Sequence, residues 1–159
     1  MIKKKKELEA QALTCDYQPP VNDECNRVNE NKIYRHKGAC KWRGIRSQRY
    51  KKKNGGWSDI VRNVLIGDSG ESTKFHLRYF EIAPGGFSSL EKHRHEHVVV
   101  CIKGKGRVVM GEKSHVVKNL DTVYISPNTV HQLLNPYDKP FGFFCIVNAK
   151  RDKPRLVNR

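Results

Sequence analysis

Short hydrophobic runs rich in β-branched and aromatic residues recur along the chain from residue 60 onward. The first two are residues 60–66 (IVRNVLI) and residues 75–82 (FHLRYFEI), and the later runs read HVVVCI, RVVM, HVVK, TVYIS, QLL and FGFFCIV. Glycine, asparagine, proline or aspartate separates most of them, and they lack helical periodicity. Many short strands at this spacing predict an all-β sandwich or barrel.

The chain of 159 residues is long enough for one domain with a buried core. Residues 1–32 are polar, and the prolines of the QPPVND sequence break any helix there, so we expect an N-terminal arm. Residues 33–150 are expected to form the barrel, with strands from residues 33–66 added to its sheets and the core motifs within residues 75–147. Residues 151–159 are expected to be a basic tail.

Basic residues outnumber acidic ones and give the chain a formal net charge of +15. The excess lies at the two ends of the chain, whereas the strand-rich middle is nearly neutral. Basic ends attract nucleic acid or anionic lipid, but these lack the arginine–aromatic pattern of a nucleic-acid reader, and we interpret them as solvated. Neither a run of 18 apolar residues nor an apolar stretch after residues 3–6 (KKKK) is present, so no membrane span or signal peptide is predicted.

Five cysteines occur at irregular spacing. An odd number without a regular framework is typical of free thiols in the reducing cytoplasm, which is the predicted location. Cys15, Cys25, His36 and Cys40 have the residue types of a zinc site, but their gaps differ from the short Cys-x2–4-Cys spacing of structural zinc sites. We interpret them as unrelated residues in a polar segment.

Histidines are concentrated in residues 84–106, which read PGGFSSLEKHRHEHVVVCIKGKG. Glu91, His93, His95 and His97 occupy alternate positions, so on one unbroken strand all four would face the same side of the sheet. A further histidine, His131, follows a Pro-Asn turn downstream. Imidazoles and a carboxylate gathered inside a barrel predict a site for one divalent metal ion such as Fe, Mn, Ni, Cu, Zn or Co.

These residues resemble the first motif of the cupins, G-x5-H-x-H-x3–4-E-x6-G. A register that satisfies every gap places Gly85, Glu91, His93, His97 and Gly104 at its five defined positions. In this register a glutamate stands at the first histidine of the motif and a histidine stands at its glutamate. The ligand types are exchanged, but one carboxylate and several histidines are retained.

The second cupin motif, G-x5-P-x-G-x2-H-x3-N, is matched in part. His131 and Asn135 stand at its histidine and asparagine, whereas Leu120, Ser126 and Asn128 replace its first glycine, its proline and its second glycine. Asparagine adopts positive φ more readily than most residues, so the last replacement is compatible with the turn.

The resemblance implies a jelly-roll β-barrel with an N-terminal extension and a single metal held by Glu91, His93, His97 and His131. Three or four protein ligands would leave coordination positions open for water, dioxygen or a chelating substrate. His95 is the alternative ligand, or a residue outside the ligand set. The resemblance also implies a homodimer, for which we expect part of residues 33–66 to build the interface.

Other candidate residues lie on neighbouring predicted strands. One of Arg78 and Tyr79 faces inward, and an inward Arg78 or Arg62 would bind a substrate carboxylate through two hydrogen bonds. Cys101 shares the parity of the histidines, and Gln132 is near enough to His131 to reach the pocket.

The predicted function is a metal-dependent enzyme acting on a small organic substrate. An open metal site supports either dioxygenase-like chemistry or the carbonyl polarisation used by isomerases and lyases. We favour iron or manganese as the metal, with His95 and Tyr79 as the candidate acids or bases. The alternatives are a non-catalytic cupin that binds a metal and a small ligand, and, as a third class, nucleic-acid binding through the basic ends.

Overall fold

The computed structural model describes residues 31–49 and 58–157, and within these ranges the chain forms strands and turns without a helix. The strands are β1 (Gln48–Arg49), β2 (Ser58–Ile66), β3 (Phe75–Phe87), β4 (Glu91–Lys92), β5 (His97–Lys103), β6 (Lys105–Met110), β7 (Lys113–Lys118), β8 (Thr122–Ile125), β9 (His131–Leu134), β10 (Phe141–Asn148) and β11 (Arg155–Leu156). The all-β prediction is therefore confirmed. Cys15, Cys25 and most of the predicted N-terminal arm lie outside the described residues.

Every strand pairing within the described ranges is antiparallel, and the sheet curls into the predicted barrel. The strand order is β11-β4-β9-β3-β10-β5-β8, with β6 joined to β9 and β7, and with β2 joined to β3 and β1. Two strands that precede the motifs, β1 and β2, extend this sheet beside β3. At the other end of the chain, β11 pairs with β4 inside the range expected as a basic tail. No helix of the described part is long and apolar enough to span a membrane.

The barrel interior is filled by alternate side chains of the strands, as the period-two pattern requires. Ile82, Val108 and Phe141 are fully buried there, and the rings of Phe80 and Phe143 stack with centroids 5.6 Å apart. These residues belong to one apolar cluster, and two of them, Phe80 and Phe143, also line the cavity that contains the polar side chains described below.

A second layer covers the outer face of β3 and β10. Trp42, from the segment before β1, packs against Tyr79 with ring centroids 5.2 Å apart and against Phe144 at 6.3 Å. Because neighbouring residues of a strand face opposite sides of the sheet, Tyr79 and Phe144 point into this outer layer, whereas the residues next to them point into the barrel.

The motif positions that require glycine do adopt positive φ. Gly85 and Gly104 have φ of 75° and 67°, and a Cβ at Gly104 would lie 2.3 Å from the carbonyl oxygen of Pro140. Leu120 and Asn128 adopt φ of 70° and 62° at positions where the second motif has glycine. The chain thus keeps the turns of the motif even where it lacks the glycines, at a conformational cost that is higher for Leu120.

Candidate metal centre

Three histidines from separate parts of the chain meet inside the barrel. His93 lies in the loop after β4, His97 begins β5, and His131 begins β9. One ring nitrogen from each lies within 4.8 Å of the other two, and all three side chains are buried. We call His93, His97 and His131 the histidine trio.

Hydrogen bonds fix the tautomers of two members of the trio. Nδ1 of His93 lies 2.8 Å from the backbone oxygen of His95, and Nδ1 of His131 lies 2.8 Å from that of Thr129. Because a carbonyl oxygen can only accept, both Nδ1 atoms carry a proton, and in the neutral ring each Nε2 then keeps a lone pair. Nε2 of His93 and Nε2 of His97 are buried without a hydrogen-bond partner. This donor set fits a divalent metal, whose histidine ligands use their second nitrogen in this way.

Burial favours the uncharged form of His93 and His97, which is the form that a metal requires. It lowers the pKa of His97 to about 2, and the neighbouring His131 adds to this effect. Burial also lowers the pKa of His93. A metal competes with protons for imidazole, so rings with lowered pKa offer their lone pairs across the neutral pH range.

Glu91, the predicted carboxylate ligand, lies next to the trio. It begins β4, pairs directly with His131 across the sheet, and is 9% exposed. The residues that lie within 4.8 Å of one another are the three histidines, without Glu91. The structure therefore brings three of the four predicted ligands together and places the fourth in the wall of the same cavity.

The cavity beside the trio is small and is lined by both polar and apolar side chains. Its polar lining is Arg78, Ser88, Glu91, His97, His131 and Cys145, and its apolar lining is Ile60, Phe80, Val99, Leu133 and Phe143. Its volume is about 40 Å³, whereas one water requires roughly 10–15 Å³ by the same measure. The closed part therefore accepts a small group beside an ion, and a larger ligand has to extend out of its mouth.

Arg78 is the positive charge of this cavity. Its side chain is 6% exposed, and its guanidinium lies 5.2 Å from the centre of the Phe80 ring. Nη2 donates to Sγ of Cys145 at 3.3 Å, while Nε is buried without a partner. No carboxylate forms an ion pair with Arg78 among the residues that the structure describes. Glu91 lines the same cavity but forms no ion pair with Arg78, so the guanidinium keeps an N–H donor for an anionic ligand.

Cys145 connects Arg78 to the trio. Its Sγ lies 3.5 Å from Nδ1 of His97, and burial raises the pKa of the thiol. Cys145 thus helps to orient the His97 ring with Nε2 toward the centre of the trio. The sequence contains a signal for this residue. Cys145 lies two positions after Phe143 in the predicted FGFFCIV strand, so the two side chains face the same side of the sheet.

His95 differs from the expectation that alternate residues face one side of the sheet. β4 ends at Lys92 and β5 begins at His97, so the segment between them is a loop rather than part of one strand. Nδ1 of His95 lies 2.8 Å from Oδ1 of Asp152, and the His95 ring stacks on that of His93 with centroids 3.6 Å apart. No sequence signal pointed to Asp152, which lies 57 residues further along the chain in the polar tail.

Tyr79 and Arg62 are not in the cavity lining. Arg78 faces inward, so Tyr79 faces the outer layer, where its hydroxyl donates to Glu81 at 2.7 Å. Burial raises the pKa of Tyr79 above its usual range, which disfavours a role as an acid or base. Arg62 donates from Nη2 to Gln48 on the neighbouring strand at 2.8 Å.

Cys101 and Gln132 also lie away from the cavity. Cys101 faces inward as its parity predicts, but it packs in the apolar cluster deeper along β5. Gln132 donates from Nε2 to the backbone oxygen of Ser88 at 2.8 Å and so ties β9 to the loop before β4. Both residues therefore make structural contacts.

Comparison with known proteins supports the barrel fold that the sequence predicts. The family model for the cupin domain matches residues 78–147. The 1-methylthio-D-xylulose 5-phosphate methylsulfurylase of Rhodospirillum rubrum is 38% identical over 130 residues, which are 80% of this chain and 82% of that protein. A crystal structure of a cupin-2 domain from Rhodospirillum rubrum matches with a TM-score of 0.69 at 36% identity, covering 81% of this chain and 84% of that one. A cupin 2 conserved barrel domain protein from Rhodopseudomonas palustris matches with a TM-score of 0.74 at 34% identity, covering 80% and 87%.

Proposed function

The chain belongs to the cupin family, and from this membership we propose that it is a metal-dependent enzyme acting on a small anionic substrate. One observation carries the proposal: two members of the histidine trio, His93 and His97, have buried nitrogens without a partner, and the cavity beside them contains the buried guanidinium of Arg78 with an unpartnered Nε. A barrel that served only as a scaffold would gain nothing from burying these groups, since each costs free energy when it has no partner. Glu91 is the proposed fourth ligand, supplied from the neighbouring strand.

Iron or manganese is the proposed metal, with zinc, nickel, copper and cobalt as alternatives. Imidazoles with one carboxylate accept all of these ions, and the carboxylate favours the harder ones. When bound, such an ion polarises a carbonyl and stabilises the negative oxygen that forms from it. In this chain the trio holds the ion, Cys145 orients His97, and Arg78 donates to an anionic oxygen of the substrate.

We propose a phosphorylated ketose with a sulfur substituent next to its carbonyl as the substrate class. The name of the relative from Rhodospirillum rubrum specifies a methylthio group at C1 of a xylulose phosphate. Breaking that C–S bond leaves the electron pair at C1, where the C2 carbonyl accepts it as an enolate and C1 then takes up a proton. The methylthio group passes to a nucleophile such as a thiol, which forms a disulfide and thereby balances the reduction at C1. This reaction depends on a polarised carbonyl, so it favours chemistry of the isomerase or lyase kind over dioxygenase-like chemistry.

The proposed activity is tested with metal-loaded protein, 1-methylthio-D-xylulose 5-phosphate and a small thiol, with products followed by mass spectrometry. We expect a dethiomethylated sugar phosphate and the mixed disulfide in equal amounts. His131→Ala should remove turnover, and His115→Ala, which changes an exposed histidine on β7, should not. Binding of the sugar phosphate without any product would instead support a non-catalytic cupin.

We further propose a homodimer that uses β1 and β2. Among the described residues β1 pairs with β2 alone, which leaves its other edge for a partner strand, and Val61 on β2 is 39% exposed. Light scattering after size exclusion should give twice the chain mass of 18.4 kDa. Val61→Lys should shift the protein toward monomer, whereas Val116→Lys, which changes a valine on β7 that is 55% exposed, should not. A wild-type monomer would contradict the proposal.

The proposed location is the cytoplasm. Cys40, Cys101 and Cys145 are free thiols in the described part of the chain. Unpaired buried thiols are typical of proteins kept in a reducing compartment.

A further inference from the structure

The loop between β4 and β5 is held by a residue from the far end of the chain. Both carboxylate oxygens of Asp152 accept from the backbone N–H of Arg94, at 3.0 and 2.9 Å. Oδ1 of Asp152 also accepts from the backbone N–H of His95 at 3.3 Å and lies 2.8 Å from Nδ1 of the His95 ring. One carboxylate thus binds two consecutive amides and one imidazole of the same loop.

The segment that carries Asp152 is itself fixed at both ends. At its start, the backbone N–H of Ala149 donates to the carbonyl oxygen of Lys74 at 2.9 Å. At its end, β11 pairs with β4, so that Leu156 lies opposite Glu91, and the N–H of Val157 donates to the carbonyl oxygen of Leu90 at 3.0 Å. Asp152 is therefore positioned by the barrel on both sides of it.

The contacts lead from Asp152 to a member of the trio in two steps. Asp152 holds the amide and the ring of His95, and the carbonyl oxygen of His95 accepts from Nδ1 of His93. The His95 ring also stacks on the His93 ring, with 5° between their planes. The direction in which Nε2 of His93 points thus depends on a loop conformation that Asp152 stabilises.

We propose that Asp152 is a positioning residue of the metal centre, through which the C-terminal segment 149–157 sets the metal affinity of the loop ligands. This inference rests on the proposed metal-dependent function. Partners that orient metal-binding histidines typically contribute about 10- to 100-fold to affinity. Here the partner acts through the backbone of a loop, which would otherwise have to be ordered when the ion binds.

A second ion between His93, His95 and Asp152 is the competing explanation, because these three residues also bring possible ligand atoms within 4.8 Å of one another. The contacts oppose it. The oxygens of Asp152 already accept from two amides and one imidazole, and the free nitrogen of His93 belongs to the trio. Asp152 therefore has the contacts of a residue that orients ligands rather than those of a ligand.

The test combines metal affinity with amide exchange, using Asp152→Ala, Asp152→Asn and, as a matched control one position along the segment, Lys153→Ala. Chelator competition with Mn²⁺ or Co²⁺ should show about 10- to 100-fold weaker binding for Asp152→Ala. Asp152→Asn keeps one acceptor oxygen and should lose less, and Lys153→Ala should match the wild type. In the metal-free protein, the amides of Arg94 and His95 should exchange faster in Asp152→Ala, with β10 amides unchanged.

The outcomes separate this inference from the proposed function. A wild type that binds no metal contradicts the metal-dependent function, while amide exchange still decides whether Asp152 holds the loop. Wild-type affinity and unchanged exchange at Arg94 and His95 in Asp152→Ala would overturn the positioning role. Two ions per wild-type chain and one in Asp152→Ala would show instead that Asp152 is a ligand. If Asp152→Ala fails to fold, the same criteria apply to Asp152→Asn.

Discussion

Replacing His97 with alanine is expected to abolish tight binding of a divalent ion, whereas replacing His95 should weaken it by at most about 10- to 100-fold. Nε2 of His97 is buried and unpartnered, and the His97 ring lies 4.6 Å from that of His93 between their centroids, so its removal deletes a proposed ligand. The His95 ring binds Asp152 instead, and His95→Ala retains the backbone oxygen that orients His93. Metal content after dialysis, and Co²⁺ titration followed by absorbance, measure both effects.

The His97 and His95 variants distinguish the proposed ligand set from the alternative in which His95 is a ligand. Metal lost in His95→Ala and retained in His97→Ala would mean that His93 and His95 are the ligands. Urea unfolding of each metal-free variant is the control, because removing a buried imidazole also changes packing. A His97 variant that folds and still binds metal like the wild type would contradict the proposed trio.

Replacing Arg78 with methionine is expected to reduce kcat/KM by about 10- to 100-fold while the metal content stays unchanged. A hydrogen bond to a charged group contributes about 1.5–3 kcal/mol, and each 1.4 kcal/mol corresponds to a factor of about ten. Methionine fills a similar apolar volume over the Phe80 ring but supplies neither the charge nor the donors. Steady-state kinetics on the sugar phosphate, with metal analysis of the same samples, measures the effect.

Two further variants separate a local role of Arg78 from a general effect of charge. Arg78→Lys keeps the charge without the planar donor geometry and should lie between the wild type and Arg78→Met. Lys118→Met removes one positive charge from the surface strand β7 and should leave kcat/KM unchanged. A loss in Lys118→Met equal to that in Arg78→Met would indicate long-range attraction of the substrate instead.

Much of the fold follows from local sequence patterns. The runs of β-branched residues become strands, and the motif glycines Gly85 and Gly104 adopt the positive φ for which glycine is suited. Asn128 keeps a positive φ without glycine, as its polar side chain allows. These features depend on a few neighbouring residues, which is why the sequence alone predicts them.

The site depends in part on contacts that sequence patterns do not contain. The alternation of side chains along a strand shows that one of Arg78 and Tyr79 faces inward but not which one. That is set by the pairing of β3 with its neighbouring strands. Strand alternation predicts that His95 faces the same side as the other histidines, but the chain leaves the strand there, and the His95 ring binds Asp152 while it stacks on the His93 ring. Such long-range contacts require coordinates, whereas the trio could be predicted from the motif.

The most direct test of the metal centre is a crystal structure of metal-loaded protein with anomalous diffraction measured at the absorption edge of the ion. The histidine trio predicts one strong peak per chain, about 2.0–2.2 Å from Nε2 of His93, His97 and His131, with Glu91 as the fourth ligand. A peak bound by His95 and Asp152 would contradict this assignment. The absence of any peak in protein soaked with Mn²⁺, Fe²⁺, Co²⁺ or Zn²⁺ would contradict metal dependence itself.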